Sequence, residues 1–259
     1  MTKKILFYSY APREYPFILR NIKQKPLEYA KHEIVDCGIM DLVKEPFQHS
    51  KEKLEKWELL ELKNGWKVVP DCPHMQKEFG TESKIDNIEY SKELMKKLYN
   101  PSELSHLPVI QGYYHDPNSF REYAYWFLEN YSMPKKIGIG TVCKASNRTA
   151  IAETCKIARS IFPKASIHLF GLRRQHLSSV YKYIDSYDSM SWTWARDGSG
   201  SCKNKKERIE FFNWYMETMP NYMINSKNTQ KINNFFKRNI IEEILHDLKG
   251  ENNYDHKIY

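Results

Sequence analysis

Aspartates stand where several short apolar runs of this sequence end. Asp185 and Asp188 lie three residues apart in the mostly apolar and aromatic run "YIDSYDSMSW", while Asp36 ends "EIVD" and Asp71 ends "WKVVPD". An aspartate after a strand is often a helix cap or an Asx turn, which is the ordinary interpretation of each one alone. Gln111 in "VIQG" is a fourth polar residue at the end of such a run, and the four run ends together indicate a pocket lined with carboxylates.

Two carboxylates in different surroundings suit a displacement at the anomeric carbon of a sugar. One can attack to form a covalent glycosyl intermediate, while the other moves protons. A further aspartate beside a glutamine offers both acceptors and a donor to the edge of a purine-like base. The residues alone therefore predict an α/β enzyme with a carboxylate-rich site.

The elements that must position these residues alternate along the chain. Short β-branched runs are separated by amphipathic segments, which indicates a parallel sheet covered by helices. An eighth strand between Ser9 and Lys31 would close a (β/α)8 TIM-type barrel, in which the carboxyl ends of the strands share one face; a doubly wound open sheet is the alternative. The predicted strands are 4–9, 33–36, 66–71, 108–112, 136–140, 166–171 and 183–188, and the predicted helices are 50–64, 87–100, 118–131 and 147–162.

The C-terminal part of the chain differs in character. Two helices with aromatic faces and basic flanks are predicted over 202–219 and 228–250. The sequence has no low-complexity linker. We therefore expect a catalytic domain over 1–200 and a helical extension over 201–259 that packs on it.

Composition limits the class of protein. The 259 residues carry a net charge of +8, which is compatible with a polyanionic partner. The five cysteines are scattered and never form a CxxC pair, which fits a reducing cytoplasm and argues against a disulfide framework or a ready zinc site. No run of about 18 apolar residues occurs, so no transmembrane helix and no membrane partner are expected.

Six short motifs resemble the tRNA-guanine transglycosylase superfamily. "VDCG", "VVPDCP", "VIQG", "IGIGTVC", "IHLFGL" and "DSYDSMSW" follow that family's order and spacing, across roughly residues 30–197. The resemblance is closest to the branch that inserts 7-deazaguanines into DNA. It implies a (β/α)8 barrel that exchanges guanine in a polynucleotide for a free 7-deazaguanine without breaking the backbone.

The resemblance assigns roles to matching positions. Asp188 matches the nucleophile, with Asp185 as a neighbour or the alternative nucleophile, and Asp36 matches the group that transfers a proton to or from the base. Asp71 and Gln111 match the residues that read the base edge. The positions that line the family's base pocket are Gly140, Thr141, Val142, Phe170 and Gly171.

The sequence also departs from the family's pattern. The motif "DSGG" is "DCGI" here, so Cys37 and Ile39 alter the wall beside the proton-transfer aspartate, and "GGL" is "GTV", so Thr141 adds bulk and a hydroxyl. The zinc site of the tRNA enzymes has no counterpart, because its region retains only Cys202, with His246 far beyond. These absences imply no metal and no cofactor, and they favour a compact, phage-type DNA-modifying enzyme over a tRNA enzyme.

Aromatic and basic residues near the predicted rim are candidate contacts to the polynucleotide. Each could equally be a packed side chain or part of a solvated face. The expected partners are DNA, with tRNA as the alternative, and the free base, most simply the 7-cyano form; a barrel without catalysis or a base-releasing hydrolase are further alternatives. The candidate contacts are Trp192, Trp194, Arg196, Arg173, Arg174, Lys203, Lys205 and Lys206.

Overall fold

The computed structural model describes residues 6–12, 14–38, 48–74, 86–142, 145–193 and 204–224. Within these ranges the protein is a mixed α/β structure whose strands pair in parallel, which confirms the predicted class. The strands are β1 (Leu6–Tyr8), β2 (Phe17–Asn21), β3 (His32–Asp36), β4 (Gly65–Val68), β5 (His106–Leu107), β6 (Val109–Ile110), β7 (Lys136–Ile139), β8 (Ser166–Leu169) and β9 (Ser186–Asp188). The helices are α1 (Lys51–Glu58), α2 (Asn87–Leu98), α3 (Pro117–Asn130), α4 (Arg148–Ile161), α5 (Leu177–Val180) and α6 (Lys205–Ile224).

The strands occur at all seven predicted places, although most are shorter than expected. The additional strand considered between Ser9 and Lys31 is β2, in which buried and half-buried residues alternate. The strand predicted over 108–112 is β6, which begins only at Val109 because Pro108 has no N–H to donate and separates β5 from β6. Of the two helices predicted in the tail, the first corresponds to α6, and the second, over 228–250, lies outside the described residues.

The strands form two parallel sheets, ordered β1-β9-β8-β7-β6 and β2-β3-β4-β5. Register sets which residues are level with one another: Tyr8 pairs with Asp188, and Asn21 pairs with Asp36. Parallel pairing brings the carboxyl ends of all strands in a sheet to the same edge. The polar residues that follow the strands therefore lie along that edge in each sheet.

Side-chain caps fix the start of the covering helices. Asn147 accepts hydrogen bonds from the Thr149 and Ala150 amides at the start of α4, as its position predicted. Asp86 does the same for α2. Among the described helices, none is long and apolar enough to span a membrane.

Helix α6 packs on the same core as the strands. The ring of Phe212 lies 6.5 Å from that of Phe7 in β1 and 5.5 Å from that of Tyr15, and Phe212 and Tyr15 are almost completely buried. Tyr215 of the same helix lies 5.5 Å from Phe7. The described part of the C-terminal extension is thus joined to the sheet by aromatic contacts.

Candidate active site

Four polar residues from both sheets meet at the carboxyl ends of the strands. Asp188 and Asp36 are the last residues of β9 and β3, Gln111 follows β6 directly, and Asp71 lies just beyond β4. The Gln111 side-chain amide donates to Asp71 Oδ2, which joins the ends of the two sheets. The charge of Asp188 helps to raise the pKa of Asp36, whose charge in turn helps to raise that of Asp71, so the three carboxylates lie within electrostatic reach of one another.

Asp188 is held through one of its two oxygens. The Gly171 amide donates to Oδ1 at 2.8 Å, and His168 Nε2 lies 3.3 Å from the same atom. Gly171 has a φ of 65°, a left-handed conformation that a residue with a side chain rarely adopts, and this turn directs its N–H towards the carboxylate. With Oδ1 occupied and 12% of the side chain exposed, Oδ2 is the oxygen available to a substrate.

Asp185 lies at the opposite end of β9 and has a structural role. Its Oδ2 pairs with Arg159 Nη2 at 2.6 Å and accepts the Ile167 amide at 2.8 Å. Asp188, not Asp185, is therefore at the carboxyl end of the strand, where the other polar residues gather. This placement favours Asp188 over Asp185 as the candidate nucleophile.

Burial raises the pKa values of two of the carboxylic acids towards neutrality. The pKa of Asp36 is raised to about 6, chiefly by burial and further by Asp188, while the Gly38 backbone N–H and Lys53 oppose the shift. The pKa of Asp71 is raised to about 7, chiefly by burial, against the stabilising hydrogen bond from Gln111. Acids with pKa values near the working pH are suited to proton transfer.

The walls of the site follow from close packing at the strand ends. A Cβ on Gly140 would collide with the side-chain amide of Gln111, so glycine is required there for Gln111 to reach Asp71. The Cys37 thiol lies 3.5 Å from the other oxygen of Asp71 and is a second side-chain donor to this carboxylate. Val142 is buried, and the half-buried Phe170 packs its ring against His168.

Several buried polar atoms have no hydrogen-bond partner among the described residues, and three of them lie at the carboxyl ends of β3, β6 and β7. They are Asp36 Oδ1, Gln111 Oε1 and Thr141 Oγ1. Buried polar groups in folded proteins are almost always hydrogen-bonded. Two acceptors and a hydroxyl at the carboxyl ends of the strands are suited to a small ligand that presents several N–H groups.

Two of the candidate nucleic-acid contacts are packed inside the protein. Trp192 is 3% exposed and meets Phe212 edge-on, with ring centroids 5.5 Å apart. The guanidinium of Arg174, 8% exposed, lies 4.4 Å from the ring of Trp214 on α6. Both residues attach α6 to the sheet, which corrects the expectation that they face a polynucleotide.

The remaining candidate contacts are either exposed or outside the described residues. Arg173, Lys205 and Lys206 are exposed, as contacts to a phosphate backbone must be. Trp194, Arg196 and Lys203 lie outside the described residues. Within the described part of the chain, no group of three or more histidine, cysteine or acidic side chains is placed to hold a metal ion.

His168 is a site residue that the sequence analysis missed. It is 1% exposed, and its two ring nitrogens face Ser186 and Asp188. The signal that could have revealed it is a histidine inside the apolar strand "SIHL", where a polar side chain needs a specific partner.

No protein-family model matches the chain, and no curated protein matches it.

Proposed function

We propose that this protein is a transglycosylase that exchanges guanine in DNA for a free 7-deazaguanine, most simply the 7-cyano form. The observation that carries the proposal is the meeting of Asp36, Asp71, Gln111 and Asp188 at the carboxyl ends of two sheets. The three unpartnered polar atoms at the same strand ends support a site for a base.

In the proposed reaction Asp188 acts as the nucleophile. Its Oδ2 forms a bond to the anomeric carbon while the bond from that carbon to N9 of guanine breaks, and guanine leaves with the electron pair and takes a proton from solvent water. The 7-deazaguanine then gives its N9 proton to Asp36 and attacks the same carbon, which releases the Asp188 carboxylate. Two successive inversions retain the configuration at the sugar.

Base recognition is assigned to Asp71 and Gln111. Gln111 is held by Asp71 through its amide nitrogen, so its Oε1 is available to accept from a ring N–H or an amino group. The raised pKa of Asp71, about 7, allows it to donate or accept near neutral pH. Thr141 adds a hydroxyl that can hydrogen-bond the same ligand.

We further propose that the two sheets are halves of one (β/α)8 barrel. The Ser9 amide donates to the Phe17 carbonyl at 3.1 Å, which links the end of β1 to β2. At the other junction only Pro108 separates β5 from β6. Counting β5 and β6 as one interrupted strand gives eight strands in chain order, with one shared catalytic face.

The proposed macromolecular substrate is DNA, with tRNA as the alternative. Arg173, Lys205 and Lys206 are exposed and can contact phosphates, and one guanine nucleotide must leave the stack to reach Asp188. A DNA substrate would place the reaction in the cytoplasm, that of the host for a phage-encoded enzyme.

The test is incorporation of labelled 7-cyano-7-deazaguanine or guanine into DNA and, separately, into tRNA. We expect incorporation into DNA that is abolished by Asp188→Asn together with any covalent enzyme–DNA adduct, whereas Asp36→Asn still accumulates adduct. Asp185→Asn is the matched control, because it lies in the same segment and should lower stability but retain exchange. Three outcomes would contradict the proposal. Exchange on tRNA alone would indicate a tRNA enzyme, release of guanine without incorporation a hydrolase, and binding without either reaction a barrel without catalysis.

A further inference from the structure

We propose that His168 is a positioning residue for Asp188, donating from Nε2 to Oδ1 so that Oδ2 faces the sugar. The geometric part of this inference stands on the contacts of the three residues Ser186, His168 and Asp188. Its consequence for catalysis rests on the proposed function.

The strand register creates the contact. His168 in β8 pairs directly with Ser186 in β9, and Asp188 lies two residues further along the same strand. Residues i and i+2 of a strand point to the same face, so one imidazole can reach both side chains. The distances are 2.8 Å from Nδ1 to Ser186 Oγ and 3.3 Å from Nε2 to Asp188 Oδ1.

The partners determine where the ring carries its proton. An ionised carboxylate can only accept, so Nε2 must donate to Asp188, and Nδ1 of the neutral ring then accepts from the Ser186 hydroxyl. The ring is also held on its sides, with Tyr8 edge-on at 5.5 Å and Phe170 at 4.5 Å. His168 and Gly171 thus fix Oδ1 from two directions.

A serine-hydrolase assignment for the same three residues does not fit. Ser186 is 2% exposed and contacts the ring from within the sheet, so its hydroxyl is inaccessible to a substrate. Asp188, at the carboxyl end of β9, is the member that lies with the other polar residues of the site. The series therefore runs from Ser186 through His168 to Asp188, and the carboxylate is its reacting end.

The catalytic test compares substitutions at His168 in single-turnover formation of the covalent adduct on labelled DNA. Phenylalanine fills similar space without a donor, and we expect His168→Phe to slow adduct formation by about 10- to 100-fold, since a hydrogen bond to a charged group is lost. His168→Gln places an amide N–H near the position of Nε2 and should recover much of the rate. DNA affinity should change little in either variant.

His106→Phe is the matched control. His106 is also buried, but it lies in β5 and packs against Trp57. This variant should lower stability without slowing the adduct step. Equal slowing by Phe and Gln at position 168, or the same slowing from His106→Phe, would overturn the positioning role.

A second measurement does not depend on any activity. Nitrogen NMR of the protein labelled at histidine, with the His168 signal assigned by its loss in His168→Gln, should show the tautomer protonated at Nε2. Ser186→Ala should shift the Nδ1 resonance, and Asp188→Asn the Nε2 resonance. A ring protonated only at Nδ1 would overturn the inference. A wild-type protein with the expected tautomer but no adduct on DNA or tRNA would instead refute the proposed function.

Discussion

At the scale of single residues, the three aspartates at the strand ends have different surroundings. Asp71 is almost fully buried between a glutamine amide and a thiol, Asp36 is half-buried, and Asp188 is held by a backbone N–H and an imidazole. Burial raises the pKa of Asp36 and Asp71, whereas the donors around Asp188 fix the orientation of its carboxylate. Different surroundings of this kind are what the proposed division between an acid–base group and a nucleophile requires.

The raised pKa of Asp71 predicts a pH-dependent stability. Because its pKa is higher in the folded protein, about 7 against an ordinary value of 3.8, the folded state binds more protons between these values. Its contribution is fully present below about pH 4 and is lost as the pH rises through about 7. Asp71→Asn should remove about 4 kcal/mol of the decline in unfolding free energy between pH 4 and pH 8, as measured by urea unfolding.

The control for this prediction is Glu153→Gln, which changes an exposed carboxylate on α4. It should leave the pH dependence as in the wild type. An Asp71→Asn variant with the wild-type slope would contradict the assigned burial effect.

At the scale of secondary-structure elements, Arg159 of α4 anchors the amino ends of two neighbouring strands. The Arg159 guanidinium of α4 donates to the Ala165 carbonyl at 2.8 Å, to the Tyr183 carbonyl at 3.0 Å and to the Asp185 carboxylate. These contacts fix the amino ends of β8 and β9. The candidate site lies at the opposite, carboxyl ends of the same strands.

Removing this anchor should destabilise the fold without disabling the site. Arg159→Met leaves the Asp185 carboxylate buried and without its cation, and we expect a loss of about 3–5 kcal/mol in unfolding free energy, measured by chemical denaturation. Adding Asp185→Asn should restore part of the loss. Adduct formation by the folded fraction should be unchanged, and a slowed adduct step in a folded Arg159→Met protein would show that the anchor also acts on Asp188.

At the scale of the whole molecule, α6 completes the core beside the site. Its Phe212 lies among Phe7, Tyr15 and Trp192, and its Trp214 stacks on Arg174. The helix therefore covers Trp192 and Arg174. Its exposed basic start, at Lys205, is left to contact solvent or a polyanion.

Docking of α6 should contribute strongly to stability. Phe212→Ala removes a fully buried ring and should cost about 3–5 kcal/mol, seen as a lower midpoint in thermal and urea unfolding. Glu210→Ala, an exposed change on the same helix, is the control and should be nearly neutral. A neutral Phe212→Ala would mean that α6 is not part of the cooperative fold.

Much of the fold followed from local patterns. The strand–helix alternation predicted the parallel α/β class, the gap before Lys31 was correctly expected to hold β2, and Asn147 was a recognisable cap. The polar strand ends Asp36 and Asp188 were also visible, because a strand that ends in a polar residue can be read from consecutive positions. The chemistry assigned to them stays a prediction.

The contacts between distant segments could not be read in this way. Spacing left both Asp185 and Asp188 as nucleophile candidates, and only the pairing of β8 with β9 placed them at opposite ends of a strand. The burial of Trp192 depends on where α6 docks, and the role of His168 depends on register with Ser186. Local spacing determines which elements form, whereas long-range packing decides which side chains meet, because partners far apart in the chain carry no common pattern in the sequence.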